Sequence, residues 1–210
     1  MNKHFQDYLR EHQDVPLVGM QQGLLLRAGV YTPAGMLVEE VIQPGHSYVI
    51  GWATIMNYKF SDGSQSTTAT DVTGSSRTLS INTRFIKCDG GAGIDTKGIV
   101  VGTGSTAVAM TDTKLVTQTA HGTSADQLSH GLTTFYPVDT VGANPRYTNI
   151  ARGFQNNSGA AITINEAGLY GNHTHSGGDA NFCLCRDLIT FTVPIGYLAI
   201  VQYQMVFNLT

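Results

Sequence analysis

The sequence predicts an all-β protein: an antiparallel β-sandwich, jelly-roll or Ig-like, with a short N-terminal helix. Three observations carry that expectation. The last stretch of the chain alternates, with Tyr197, Ala199, Val201, Tyr203, Met205, Phe207 and Leu209 on one face. An unbroken apolar face opposite a partly polar one marks an antiparallel strand. Short apolar or β-branched runs are separated throughout by turn residues, as in a sandwich or barrel. Charged residues make up only 13% of the 210 positions, and 24 glycines and many Thr, Ser, Asn and Gln residues fill the shortfall. Ordinary domains carry about 25% charge.

Element by element, residues 1–15 read as an N-terminal helical segment and residues 16–210 as the sandwich. Phe5, Tyr8, Leu9 and His12 share one helical face, and Pro16 ends the segment. A helix this short is marginal alone, so Phe5, Tyr8 and Leu9 are candidate assembly contacts. Leu24–Leu26 and Met36–Val38 are short apolar runs, and Pro44-Gly45 is a turn pair. Tyr48–Phe60, rich in aromatic and β-branched residues, reads as a long strand that carries the only tryptophan, Trp52. Residues 61–76 read as an exposed excursion. Thr78–Cys88 alternates, and Gly98–Val101 is a short strand. Gly122–Ser129, flanked by His121 and His130, reads as a loop or short helix. Tyr147–Gln155 and Ala161–Tyr170 read as a hairpin closed by Asn156-Asn157-Ser158-Gly159. Phe182–Val193 and Tyr197–Leu209 complete the pattern. On the final strand, Gln202 and Gln204 are expected to be more exposed or at a subunit contact.

The net charge of −3 and pI near 6.1 give no general attraction to nucleic acid. No stretch approaches the ~20 apolar residues of a membrane helix. Cys88, Cys183 and Cys185 are an odd set, not a disulfide framework, and with the polar N-terminus they point to synthesis in a reducing cytoplasm.

Several segments resemble virion structural proteins of tailed bacteriophages. They are Gly98–Ala107, with its Gly-Thr-Gly turn; Thr111-Asp112-Thr113-Lys114-Leu115; Phe154–Gly159; Ile162–Tyr170; and Cys185-Arg186-Asp187 with Val193 and Tyr203. Their order and spacing carry the resemblance, which covers roughly the C-terminal half. It implies a β-sandwich accessory subunit of head, neck or tail, made in the host cytoplasm and carried in the virion. It implies self-association, with a trimer favoured, and packing on other virion proteins. It supplies no catalytic residue. The alternative is a receptor- or glycan-binding module at a fibre tip, recognisable by exposed Tyr or Trp flanked by Asn and Asp.

Sites of chemistry are sparse. Gly102-Thr103-Gly104-Ser105-Thr106-Ala107 fits a dinucleotide fingerprint, but the following residues are too short and Thr-rich for its helix. No cofactor is expected. His173 and His175, with Cys183 and Cys185, are the candidate metal ligands, because residues i and i+2 of a strand share a face and imidazole and thiolate both bind zinc. Against them, the histidines fall in a polar stretch, Gly171–Asp179, and the usual Cys-x₂-Cys spacing is missing. The expectation is no metal. No nucleophile context such as G-x-S-x-G is present, so the chain is not expected to be an enzyme. Glu166 continues the apolar face of Ile162 and Ile164, and a buried carboxylate must be paired. Arg152, Arg186 or backbone N–H groups around Asp112–Leu115 are its expected partners, in a structural role.

Overall fold

The computed structural model describes residues 22–45, 48–60, 67–79, 86–136 and 146–207. The expected helix over 1–15, with Phe5, Tyr8 and Leu9, lies outside these residues. The described chain is all-β and antiparallel, with one helix. Its elements are β1 (Gln22–Tyr31), β2 (Leu37–Gly45), α1 (Ile50–Phe60), β3 (Thr68–Thr70), β4 (Ser76–Thr78), β5 (Gly98–Gly102), β6 (Ser129–Tyr136), β7 (Arg146–Gln155), β8 (Ile162–His175), β9 (Gly178–Val193) and β10 (Leu198–Phe207).

Two sheets form the sandwich. The larger runs β2-β1-β10-β7-β6 and the smaller β5-β8-β9, while β3 and β4 make a separate hairpin. One core lies between the two sheets. Leu24, Leu26, Ala28 and Val30 of β1, Ile150 and Phe154 of β7, and Ala199, Val201 and Tyr203 of β10 meet Ile99, Val101, Leu169, Phe182, Leu184, Phe191 and Val193 of the smaller sheet. The odd-numbered residues of β10 therefore face the core as alternation requires. Gln202 and Gln204 are also buried, at 5% and 6% exposure. The reason is position: β10 is the central strand, flanked by β1 and β7. Its second face joins an outer cluster of Tyr31, Ala151 and Ile200.

Four expectations change. Tyr48–Phe60 is not a strand. Ile50–Phe60 is helical, with Gly51 and Ile55 buried and Trp52 and Met56 half-buried, a spacing of four. Over residues 48–56 both alternating faces are mostly apolar, so periodicity did not separate helix from strand. Gly51 packs directly on the Cys183 carbonyl, where no side chain fits. Of the excursion expected over 61–76, residues 61–66 lie outside the described residues, and the rest enters the β3–β4 hairpin, turned around buried Asp71. That carboxylate accepts from Thr73 N–H (2.9 Å), Thr73 Oγ1 (2.6 Å), Ser75 N–H (2.9 Å) and Arg77 Nε (2.6 Å). Asn156–Gly159 does not close a hairpin. It carries the chain from β7 in one sheet to β8 in the other, held by Asn156, whose Nδ2 donates to the carbonyls of Ala160 (2.8 Å) and Val193 (2.7 Å). Gly171–Asp179 is not a loop: β8 and β9 form a single long hairpin that turns at Ser176-Gly177. Residues 129–136, unassigned from sequence, are edge strand β6.

Candidate functional site

Three places among the described residues bear on function: two buried polar centres and a cavity. The first is a buried ion network on the outer face of the smaller sheet. Glu166 of β8 and Arg186 of β9 are both fully buried and pair at 2.9 Å through Arg186 Nε and Glu166 Oε2. Arg186 also donates to Asp112 Oδ2 (2.6 Å) and to the carbonyl of Thr106 (2.8 Å). The N–H groups of Val116 (3.1 Å) and Thr117 (2.8 Å) donate to Glu166. Tyr170 Oη accepts from Leu115 N–H at 2.6 Å, and burial pushes that phenol up. The segment 103–118 between β5 and β6 is thus pinned onto β8 and β9 by three side chains, Glu166, Arg186 and Tyr170. The glycines of the Gly-Thr-Gly turn serve the same contact. A Cβ on Gly102 would sit 2.7 Å from Glu166 Oε1, and one on Gly104 would sit 2.8 Å from Val116 Cβ. They admit a carboxylate rather than a pyrophosphate, and residues 103–109 form no helix.

Arg152 is the second polar centre, and it lies on the other sheet. It does not approach Glu166, because β7 and β8 are not hairpin partners. Its guanidinium is fully buried and donates to the carbonyls of Gly131 (2.8 Å), Lys97 (3.0 Å), Ile99 (2.9 Å), Gly91 (2.9 Å) and Ile94. Burial lowers its pKa to about 10, with Asp95 opposing, so it stays charged near neutrality. This cage ties the loop before β5 to the core and closes one end of the sandwich. His130 lies beside it, buried and edge-on to Phe154. Its ring nitrogens make no well-formed hydrogen bond, and a weak approach by the Thr119 backbone does not offset burial. Burial, aided by the Arg152 charge, lowers its pKa to about 4.

The candidate metal ligands are not brought together. His173 pairs across the hairpin with Ala180 and His175 with Gly178, whereas Cys183 pairs with Tyr170 and Cys185 with Leu169. A bulge between Leu169 and Tyr170 breaks the alternation. Cys183 joins the outer cluster with Val100, Leu115 and Tyr170, and Cys185 joins the main core. Both histidines are buried on β8, not in an exposed loop. His173 Nδ1 lies 2.6 Å from the Thr174 carbonyl, and His175 Nδ1 accepts the Gly177 N–H at 2.9 Å, closing the β8–β9 turn. Among the described residues, no group of three His, Cys, Asp or Glu is placed to hold a metal ion. Burial raises all three thiols, Cys88 to about 12.

The third place is a cavity of about 540 Å³ between the sheets and beside α1. Leu24, Ile150, Phe135, Tyr203 and Met205 wall it from the larger sheet, and Leu169, Leu184 and Cys185 from the smaller. Tyr48, Trp52 and Met56 bound it at α1, with Ile86 and Cys88 beside them. Tyr48 and Trp52 stack with centroids 5.0 Å apart. The volume falls within the range of small-ligand sites, but such sites carry a few convergent polar groups. The deepest hydroxyl here, Tyr203 Oη, is already committed to Asp187 at 3.1 Å across the core. Neither α1 nor this cavity was legible in the sequence.

Apolar side chains are also exposed along the edges of the larger sheet. Leu37, Val38 and Ile42 lie on β2, with Met36 just before it, and Leu132 and Phe135 lie on β6. Part of the β6 edge is taken by loop bonds from Thr133 N–H to the Gly90 carbonyl (2.8 Å) and from Gly93 N–H to the His130 carbonyl (2.9 Å). Among the described residues no strand pairs with the free side of β2. No helix among them is long and apolar enough to cross a membrane. No family model, curated protein or solved structure matches the chain.

Proposed function

We propose that this chain is a non-enzymatic structural subunit of a virus particle, a tailed-phage head-decoration, neck or tail accessory protein that works by self-association and packing on its neighbours. The observation that carries the reading is the outer side of β2, nine residues long, which pairs with no strand among the described residues and bears exposed Leu37, Val38 and Ile42. An open apolar edge is a template for strand addition and is normally blunted with lysines. β2 has no lysine, though Glu39, Glu40 and Pro44 blunt part of it: Glu40 pairs with Arg27, and Glu39 accepts from the Thr192 N–H of β9. A chain with only 13% charged residues has little charge to protect it against association. The polar networks described above hold loops in place, which suits a structural role. Exposed apolar residues at both edges of one sheet suit a heterologous, ring-closing contact, such as a trimer.

The receptor- or glycan-binding reading requires an aromatic platform flanked by Asn and Asp. Tyr48 and Trp52 supply the aromatics, but their described neighbours in the cavity are apolar. The test is light scattering on the purified chain and on a Val38→Lys/Ile42→Lys variant. The reading expects a closed oligomer for the parent and a smaller species for the variant. A monomeric parent at high concentration contradicts it.

A further inference from the structure

We propose that the outer edge of β6 is closed by an acid-sensitive latch: residues 90–97 and 118–128 lie over the edge while His121 and His130 are neutral, and let go of it when the two imidazoles take up protons. The latch is independent of the assembly reading above, which stands whether or not the edge opens.

Two loops cover the start of β6 and are tied to each other. From the first loop, Gly93 N–H donates to the His130 carbonyl (2.9 Å), and the Gly90 carbonyl accepts from Thr133 N–H (2.8 Å). From the second, Nδ1 of His121 accepts the His130 N–H at 3.0 Å, so this part of the strand is capped by an imidazole rather than a carbonyl. The second loop is closed on itself by bonds from Gly122 N–H to the Leu128 carbonyl (3.1 Å) and from Leu128 N–H to the Ala120 carbonyl (3.2 Å). Asp95 joins the two loops. Its carboxylate accepts from His121 N–H (2.9 Å), and its carbonyl accepts from Gln118 Nε2.

Both histidines have to be neutral in this arrangement. A doubly protonated imidazole has no acceptor left, so a protonated His121 would turn an N–H toward the His130 N–H. His130 is 3% exposed, and neither of its ring nitrogens has a well-formed partner to share a charge with. Its ring is edge-on to His121, with centroids 5.8 Å apart, and edge-on to Phe154 at 5.0 Å. Among the described residues, the charged and titratable groups that face it are Arg152 of β7, Asp95 and His121. Arg152 also anchors the first loop through the carbonyls of Gly91, Ile94 and Lys97. A cation on His130 would therefore push against the group that holds the latch down. Burial and Arg152 outweigh the attraction of Asp95, and the ring stays neutral down to about pH 4 when closed, against about 6.5 once hydrated. The contribution of His130 to closure is complete above about pH 6.5 and is lost as the pH falls through about 4. Opening takes up a proton, so its equilibrium constant is expected to rise about twentyfold from pH 7 to pH 5. It bares backbone groups of residues 130 and 133 on an edge that already carries exposed Leu132 and Phe135, which turns a covered edge into an open one.

The test is hydrogen exchange of the full chain at pH 7 and pH 5, read by mass spectrometry, with each rate divided by that of the unfolded chain at the same pH. Peptides covering 90–97 and 118–133 are expected to be at least about tenfold less protected than those of β8 and β9, the mark of a separate local opening. Their protection is expected to fall about twentyfold between the two pH values. His130→Phe has no proton to gain, and His121→Gln keeps an acceptor that cannot be protonated; the double variant is expected to lose the pH dependence. Equal protection of the latch and of β8–β9 would mean that only global unfolding frees His130, and would overturn the proposal. So would latch protection that is the same at both pH values, or a fall that persists in the double variant. If the double variant fails to fold, the His130 ring signal in NMR spectra of the parent decides: a ring still neutral at pH 5 supports the latch, and one that titrates near 6.5 contradicts it.

Discussion

Replacing Glu166 with Gln keeps the shape of the side chain and changes its chemistry. The carboxylate lies wholly inside the protein and accepts from three donors: Arg186 Nε, Val116 N–H and Thr117 N–H. A glutamine has one acceptor oxygen and one donor amide, so whichever way it turns, an N–H faces another N–H. Breaking a buried pair by removing one charge costs about 3–5 kcal/mol. Arg186 keeps Asp112 and the Thr106 carbonyl, which places the expected loss near the lower end, at about 3 kcal/mol. For a chain of this length each kcal/mol moves the melting temperature by about 2–4 °C, so Glu166→Gln is expected to lower it by about 6–12 °C. Urea denaturation should show a lower midpoint with an unchanged slope. Asp112→Asn, at the half-exposed end of the network, should cost less, and the double variant should be non-additive because both partners act through Arg186. A loss below about 1 kcal/mol for Glu166→Gln, the size of an ordinary hydrogen bond, would refute the account of this network.

Other consequences follow from named residues. His130 is held neutral in the fold down to about pH 4, while an unfolded histidine titrates near 6.5. Between those values the unfolded chain binds a proton that the folded chain refuses, so stability should rise with pH across this window, by about 3 kcal/mol in all. His130→Phe should flatten that rise in urea midpoints measured at pH 4.5 and 7, and equal slopes in parent and variant would exclude His130 as its source. Gly51→Ala should destabilise by about 2 kcal/mol or more, since the new methyl overlaps the Cys183 carbonyl; a neutral result in thermal melts would mean α1 does not pack on β9 as described. The three buried thiols should resist a thiol reagent at pH 8 and all react in denaturant, and rapid labelling of the native protein would contradict their burial.

The parts of the fold that were readable in the sequence are those where local pattern and tertiary position agree. On β10 the odd-numbered residues alternate without a break and face the core. Glu166 stood out because a carboxylate interrupted an apolar face. Other features depend on contacts that no local window contains. Residues 48–56 carry apolar residues on both alternating faces, and the helix is seated by Gly51 against the Cys183 carbonyl of β9. Asn156–Gly159 has the composition of a hairpin turn, yet the flanking strands find partners elsewhere, β7 with β10 and β8 with β9. That switch carried Arg152 away from Glu166 and into a cage of carbonyls. A single bulge at Leu184, the unpaired residue between the Leu169–Cys185 and Tyr170–Cys183 pairs, separated Cys183 from Cys185. The cavity is a property of how two sheets and a helix diverge at one end, and its wall residues are scattered from Leu24 to Met205.

The most direct test of the structural-subunit account is quantitative mass spectrometry of density-purified particles from the host that produces this chain. The account predicts the protein in the particle fraction at a fixed copy number that is a multiple of the particle's symmetry and resists a high-salt wash. Its presence only in the soluble host fraction, with none in the particles, would contradict the account.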